Sequence, residues 1–192
     1  FNASIFNRKD LNIMPPWLAQ IISAQRKESK ISSRWVQLST IGIDNSPRVR
    51  TVVFRGWSET FEMEIYTDKR SSKYIELNLN NKVEVCWLFS KAKCQFRFRG
   101  TSRIEKGFER EKHWDQLSEN SKTMWSWPSP GEKYLFDEEI DSLENSGDKS
   151  SNNFFLLKID ISHVDQLILE RPLHRRIRWI RKNDWIEERI NP

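Results

Sequence analysis

The 192-residue chain has little cysteine, little histidine and no long apolar run. Cys86 and Cys94 are its only cysteines, so one disulfide is the most it can form, and a fold held together by several is excluded. They fall on successive predicted strands and read as free, buried thiols. The three histidines are scattered and show none of the spacings of a metal site, so no metal is expected. No stretch approaches the ~18 consecutive apolar residues of a membrane span, and no segment joins a basic start to an apolar core and a small-residue cleavage site. These absences predict a soluble, cytoplasmic protein with no membrane partner.

Hydrophobic residues make up only 37% of the chain, yet nine of its residues are Trp, so much of the buried area must come from large rings. Trp87, Trp114 and Trp179 accordingly read as packing residues. The length suits one domain over residues 1–192 with a core that needs no disulfides.

The net charge of +5 is unevenly spread. Residues 171–192 carry seven Arg or Lys against three acids, whereas residues 132–148 carry seven acids and one Lys. A basic tail can signal nucleic acid, but Arg176-Ile177-Arg178-Trp179 alternates basic with apolar side chains, as a half-buried strand does. No nucleic-acid motif accompanies it, so nucleic acid is the disfavoured partner.

Patterning along the chain is mostly β. Pro15-Pro16 opens a helix that should run to about Ser29. Strands are predicted over 35–41, around Arg50, over 61–67 and 83–89, through Phe96-Arg97-Phe98-Arg99, and over 154–161 and 164–169. Helices are predicted from near Ser71 to Leu79 and over 107–118, and the Ser/Asn/Gly-rich end of 137–153 predicts a mobile loop. Short strands with frequent turns and a few helices indicate a mainly β (α+β) fold, an antiparallel barrel with flanking helices.

Two segments point to a phosphate-bearing ligand. Arg50-Thr51-Val52-Val53-Phe54-Arg55 reads as a strand with an Arg at each end, and Tyr66-Thr67 leads through Arg70 and Ser71 to Ser72-Lys73 at a helix start. Helix-start N–H groups, hydroxyls and an ammonium suit a phosphate.

The order of these pieces, followed by Gln95 in Lys93–Gly100 and by Pro172-Leu173-His174-Arg175-Arg176, resembles the pyridoxamine 5'-phosphate oxidase family of split-barrel flavin mononucleotide (FMN) proteins, in its less characterised FMN-binding branch. The resemblance spans roughly residues 17–192. It implies a split β-barrel, FMN as cofactor and a homodimer with the flavin at the subunit interface. It also implies roles: Arg50 and Lys73 on the phosphate, Ser72 where relatives carry a second Arg, with Arg70 able to compensate. Tyr66 and Thr67 would lie along the ribityl chain, Val52, Val53 and Phe54 along the ring, with Arg55 closing the strand. Gln95 would meet the ring edge, and Arg176 would reach the cofactor from the other chain.

The substrate half departs from the oxidase pattern. Pro172 stands where the oxidases carry a substrate-binding Arg, although His174 is kept. Thr123, Trp127 and Gly131 replace the Tyr, Arg and Ser that grip substrate phosphate. Trp127 and His174 therefore become the substrate-side candidates, and no catalytic acid, base or nucleophile is identifiable. The implied function is an FMN-dependent oxidoreductase acting on an unidentified small molecule. The alternatives are a pyridoxamine/pyridoxine 5'-phosphate oxidase, or a non-enzymatic flavin or haem binder with His174 as the haem candidate. A dimer interface is also expected from an apolar face carrying Phe96 and Phe98.

Overall fold

A computed structural model describes residues 14–133 and 150–192. Alternation of large apolar side chains builds the strands. In β1 (Trp35–Ile41), Val36, Leu38 and Thr40 are buried while the residues between them are not, and β4 (Lys82–Phe89) and β5 (Cys94–Glu105) repeat that pattern. β2 (Pro47–Trp57) and β3 (Met63–Asp68) complete the first half of the sheet, and β6 (Phe154–Ile168), β7 (Arg175–Arg181) and β8 (Trp185–Ile190) follow. The strand order is β3-β2-β1-β4-β5-β6-β7-β8, and β6 also pairs with β3. Six antiparallel strands thereby close into a barrel, with β7 and β8 continuing as a hairpin beyond β6.

β6 makes closure possible by its length. Its first half, Phe154 to Ile159, pairs with β3, while His163 to Ile168 pairs with β7. β5 follows it throughout, slipping register between Arg99 and Gly100. Gly100 is required there: a Cβ would lie 2.0 Å from the carbonyl oxygen of Asp160. The two strands expected at 154–161 and 164–169 are thus one. The polar pair Ser162-His163 marks a bulge in β6 itself: Arg99 faces His163 and Gly100 faces Ile161, so Ser162 is the extra residue, and its Oγ donates to the Arg99 carbonyl.

Aromatic rings fill the barrel, as the Trp content requires. Trp17, at the start of α1 (Leu18–Gln25), is 1% exposed and packs against Trp57, Phe98 and Trp185 with ring centroids 5.3–5.8 Å apart. Trp87 and Trp179 are fully buried; Trp114 is only half-buried and lies on Phe154, outside the barrel. Phe96 and Phe98 point inward at 0% exposure, so they supply no interface, contrary to the expectation from alternation. Exposed Trp35, Val49 and Leu88 carry the apolar outer surface instead.

Other boundaries shift for local reasons. α1 stops at Gln25 because the chain tightens into i→i+3 bonds from Lys27 and Glu28. The helix expected over 107–118 is α3 (Phe108–Asp115), and Ser118 Oγ caps a further short helix, α4 (Glu119–Thr123). α2 (Ser72–Leu79) lies where expected, with Ser71 as its N-cap residue. Of the loop predicted over 137–153, residues 137–149 lie outside the described part, and Ser150–Asn153 is a 3-10 turn. Both thiols are free, and burial raises the pKa of each. No helix among the described residues is long and apolar enough to cross a membrane.

Candidate functional site

The predicted ligand residues separate into two surface cavities. The first, of about 270 Å³, is lined by Thr51, Val52, Val53 and Arg55 of β2, Tyr66 and Asp68 of β3, Lys73 at the start of α2, and Met124 and Trp125. The second, of about 200 Å³, is lined by Gln95 and Arg97 of β5, Asp165 and Leu167 of β6, Arg176 of β7 and Pro192. They share no residue. Each lies on the outer wall of the barrel, because outward positions alternate with the aromatic core positions.

In the first cavity Lys73 is the cation at the helix start. Its ammonium donates to Ser71 Oγ at 3.0 Å, and Ser71 Oγ donates to the Asp68 carbonyl at 2.6 Å. Burial pulls the Lys73 pKa below the ordinary lysine value; the Asp68 and Glu76 carboxylates raise it, and Arg50 lowers it further. Arg55 lies over the Tyr66 ring, 4.5 Å from its centroid. Burial, aided by the Glu64 carboxylate, raises the Tyr66 pKa against the opposing pull of Arg55, so the phenol stays protonated.

Several residues expected at this cavity are engaged elsewhere. Arg50 binds buried Glu76 of α2 at 2.7 Å and the Thr40 hydroxyl, so it sits behind Lys73 and off the wall. Arg70 cannot compensate for Ser72: its guanidinium is committed to Asp68 and to the carbonyls of Trp125 and Trp127. Ser72 is exposed and lies off the wall. Thr67 turns inward at 1% exposure with its hydroxyl unpartnered, and Phe54 packs on Trp87 at 4.7 Å. Trp127 is 55% exposed and lines neither cavity; Trp125, two residues earlier, takes the wall position. His174 is exposed, with Nδ1 3.1 Å from the Glu170 carbonyl, and also stands apart.

The second cavity joins Gln95 and Arg176 as expected, around an ion cluster that the sequence did not disclose. Asp165, 5% exposed, lies within 4 Å of four guanidiniums: Arg176 at 3.2 Å, Arg97 at 3.4 Å, and Arg99 and Arg178 at 3.6 Å. One carboxylate cannot neutralise four cations, so this wall is electropositive. Among the described residues no cluster of His, Cys, Asp or Glu could hold a metal.

Sequence reasoning also missed His113 of α3, whose Nδ1 is 3.1 Å from the Tyr66 hydroxyl. The two lie 47 residues apart, so only the docking of α3 on β3 could reveal the contact.

Residues 14–106 match the family described as pyridoxamine 5'-phosphate oxidase, FMN-binding domain. The chain is 34% identical over 198 residues to pyridoxine/pyridoxamine 5'-phosphate oxidase 2 of Arabidopsis thaliana, a match covering 92% of this chain and 97% of the relative. A solved pyridoxamine 5'-phosphate oxidase-related, FMN binding protein from Nostoc punctiforme superposes with a TM-score of 0.85 at 29% identity, over 93% of this chain and 99% of that one. PhzG from Burkholderia lata, solved with tetrahydrophenazine-1-carboxylic acid, shares the fold with a TM-score of 0.74 at 17% identity, over 98% of each chain.

Proposed function

The chain belongs to the pyridoxamine 5'-phosphate oxidase family of FMN-binding split barrels, and from that premise we propose that it is an FMN-dependent oxidoreductase, working as a homodimer on a small molecule other than the vitamin phosphates. When bound, FMN supplies the hydride acceptor, and the protein's task is to fix it and tune it.

The residues present fit that group. Lys73 and the start of α2 suit the dianionic phosphate, with Arg50 adding positive potential from behind. Val52 and Val53 offer an apolar wall to the ring, and Tyr66 a hydroxyl. Gln95 can donate and accept at the polar ring edge, and Arg176 supplies a cation beside it.

The observation that carries the dimer is the separation of these donors into two cavities with no common residue. One flavin would lie between the Lys73 cavity of one subunit and Gln95 and Arg176 of the partner subunit, so that assembly completes the site. Mixed dimers test this. Lys73→Ala and Arg176→Ala chains, each poor at binding FMN alone, should regain half of the sites in hybrid dimers purified after co-expression, because each hybrid holds one intact composite site. No regain in purified hybrids, or a monomer near 23.0 kDa that holds FMN at full strength, would overturn the interface site.

A vitamin-phosphate oxidase is the second reading, favoured by the name of the Arabidopsis relative. Pro172, Trp127 and Gly131 weigh against it, since none offers a side-chain phosphate contact where the family pattern has Arg or Ser.

A further inference from the structure

A chain of titratable side chains leads from the first cavity into the seam beneath α3. Tyr66 lines the cavity, and its hydroxyl meets His113 Nδ1 at 3.1 Å. The other ring nitrogen, Nε2, faces Glu64 Oε1 at 3.7 Å. Glu64 is 7% exposed and lies 3.7 Å from the Lys158 ammonium, which in turn contacts Glu109 at 2.6 Å. Edge-on contacts with His113 at 5.7 Å and Phe154 at 5.0 Å hold the Tyr66 ring in place.

The charges fix the hydrogen positions. A buried carboxylate opposite Nε2 favours the tautomer with hydrogen on Nε2, which leaves the Nδ1 lone pair to accept from the Tyr66 hydroxyl. Hydroxyl, imidazole and carboxylate then stand in the order by which a histidine takes a proton from a hydroxyl and a carboxylate steadies the resulting cation.

We propose that Tyr66 is the proton-transfer residue of this cavity, and that His113 and Glu64 are its positioning residues. The proposal rests on the flavin reading above. Such a relay serves a substrate that gives up a proton together with a hydride, which is the chemistry of an amine or an alcohol. With FMN bound, its ring would take the hydrogen and electron pair of the substrate C–H bond, while the substrate N–H or O–H bond would give its proton to Tyr66 Oη. The Tyr66 proton moves to His113 Nδ1, and the product keeps a C=N or C=O bond.

The charged and titratable groups around His113 are Tyr66 and Glu64 of β3, Lys158 of β6, Glu109 and Arg110 of its own helix, and Arg55 of β2 over the Tyr66 ring. Variants Tyr66→Phe and His113→Gln leave all but one of them in place. Nitrogen-15 NMR of the FMN-free protein should show His113 with hydrogen on Nε2, and Tyr66→Phe should move its Nδ1 resonance. Flavin fluorescence then establishes FMN binding in all three proteins. The redox potential of bound FMN, followed against pH, should show a break in the wild type that both variants lose. A hydrogen on Nδ1, or three coincident potential lines, would overturn the relay. Failure of the wild type to bind FMN would instead overturn the flavin reading.

Discussion

At the residue scale, Lys73 shows how a site can be built at the expense of the empty protein. Its pKa is lowered chiefly by burial, so folding disfavours the charged form. A lysine whose folded pKa lies below its unfolded value weakens stability wherever it is charged in both states, and that loss is relieved as pH rises through the folded pKa. Lys73→Met should therefore leave the melting temperature of the FMN-free protein unchanged or raise it. The same variant should bind FMN at least about tenfold more weakly, because a charge-assisted contact is worth ~1.5–3 kcal/mol, while riboflavin binding changes little. Calorimetric melting and parallel titrations with the two flavins check both halves. A fall in riboflavin affinity as large as that for FMN would count against a phosphate contact.

The same scale shows what the sequence disclosed about the site. Val53 and Arg55 share one face of β2 by strand alternation, and a helix start puts Lys73 near them; Val52 belongs to the opposite face by the same alternation, so pattern alone did not place it on this wall. Arg50 was legible as a cation, but its partner Glu76 lies on α2, 26 residues away, and no local pattern reports such a pairing. Trp127 was misread because matching without gaps fixed a sequence position and could not tell which of two nearby Trp side chains turns inward; it is Trp125.

At the scale of elements, strands with their own alternation were visible and strands made by their neighbours were not. β8 reads Trp-Ile-Glu-Glu-Arg-Ile with no buried residue, and it is a strand because β7 pairs with it along its length. The continuity of β6 was hidden in the same way, since only its pairing with β5 shows Ser162 to be a bulge residue inside one strand. That bulge gives a direct test. In Gly100→Ala the added Cβ would meet the backbone of Asp160 and Ile161, atoms held in the β5–β6 ladder. The cost should be about 1–3 kcal/mol, read as a lower denaturant midpoint with unchanged slope. At Gly107, where nothing lies within 4 Å of the added Cβ, alanine should be strained only through its positive φ of 87°.

At the scale of the molecule, charge and assembly bear on one another. Asp165 holds four guanidiniums on the electropositive wall that the dimer reading places against the flavin. Asp165→Asn leaves them facing one another, and because they are partly exposed the loss should be about 1–2 kcal/mol rather than the full penalty of a buried pair. Raising the salt concentration should narrow the difference in melting temperature from wild type, since screening weakens the repulsion. A salt-independent difference would place the effect in packing instead.

The substrate is a question for the whole site, and the chain should not oxidise pyridoxamine or pyridoxine 5'-phosphate at a useful rate. Pro172 offers no guanidinium, Gly131 has no side chain, and Trp127 lines neither cavity. Arg55 of the first cavity, stacked on the Tyr66 ring, is one cation against several missing contacts, and the other cations nearby are committed. Arg70 is held by Asp68 and two carbonyls, Arg50 by Glu76, and Lys73 is the ammonium the cofactor phosphate would take. Each missing charge-assisted contact is worth ~1.5–3 kcal/mol, and a substrate carbon held ~1 Å out of place can lose 10²-fold in rate. Formation of pyridoxal 5'-phosphate by the FMN-loaded protein under oxygen is the measurement. Turnover on the order of 1 s⁻¹ or more would show that other side chains supply the phosphate grip, and would favour the vitamin-phosphate reading.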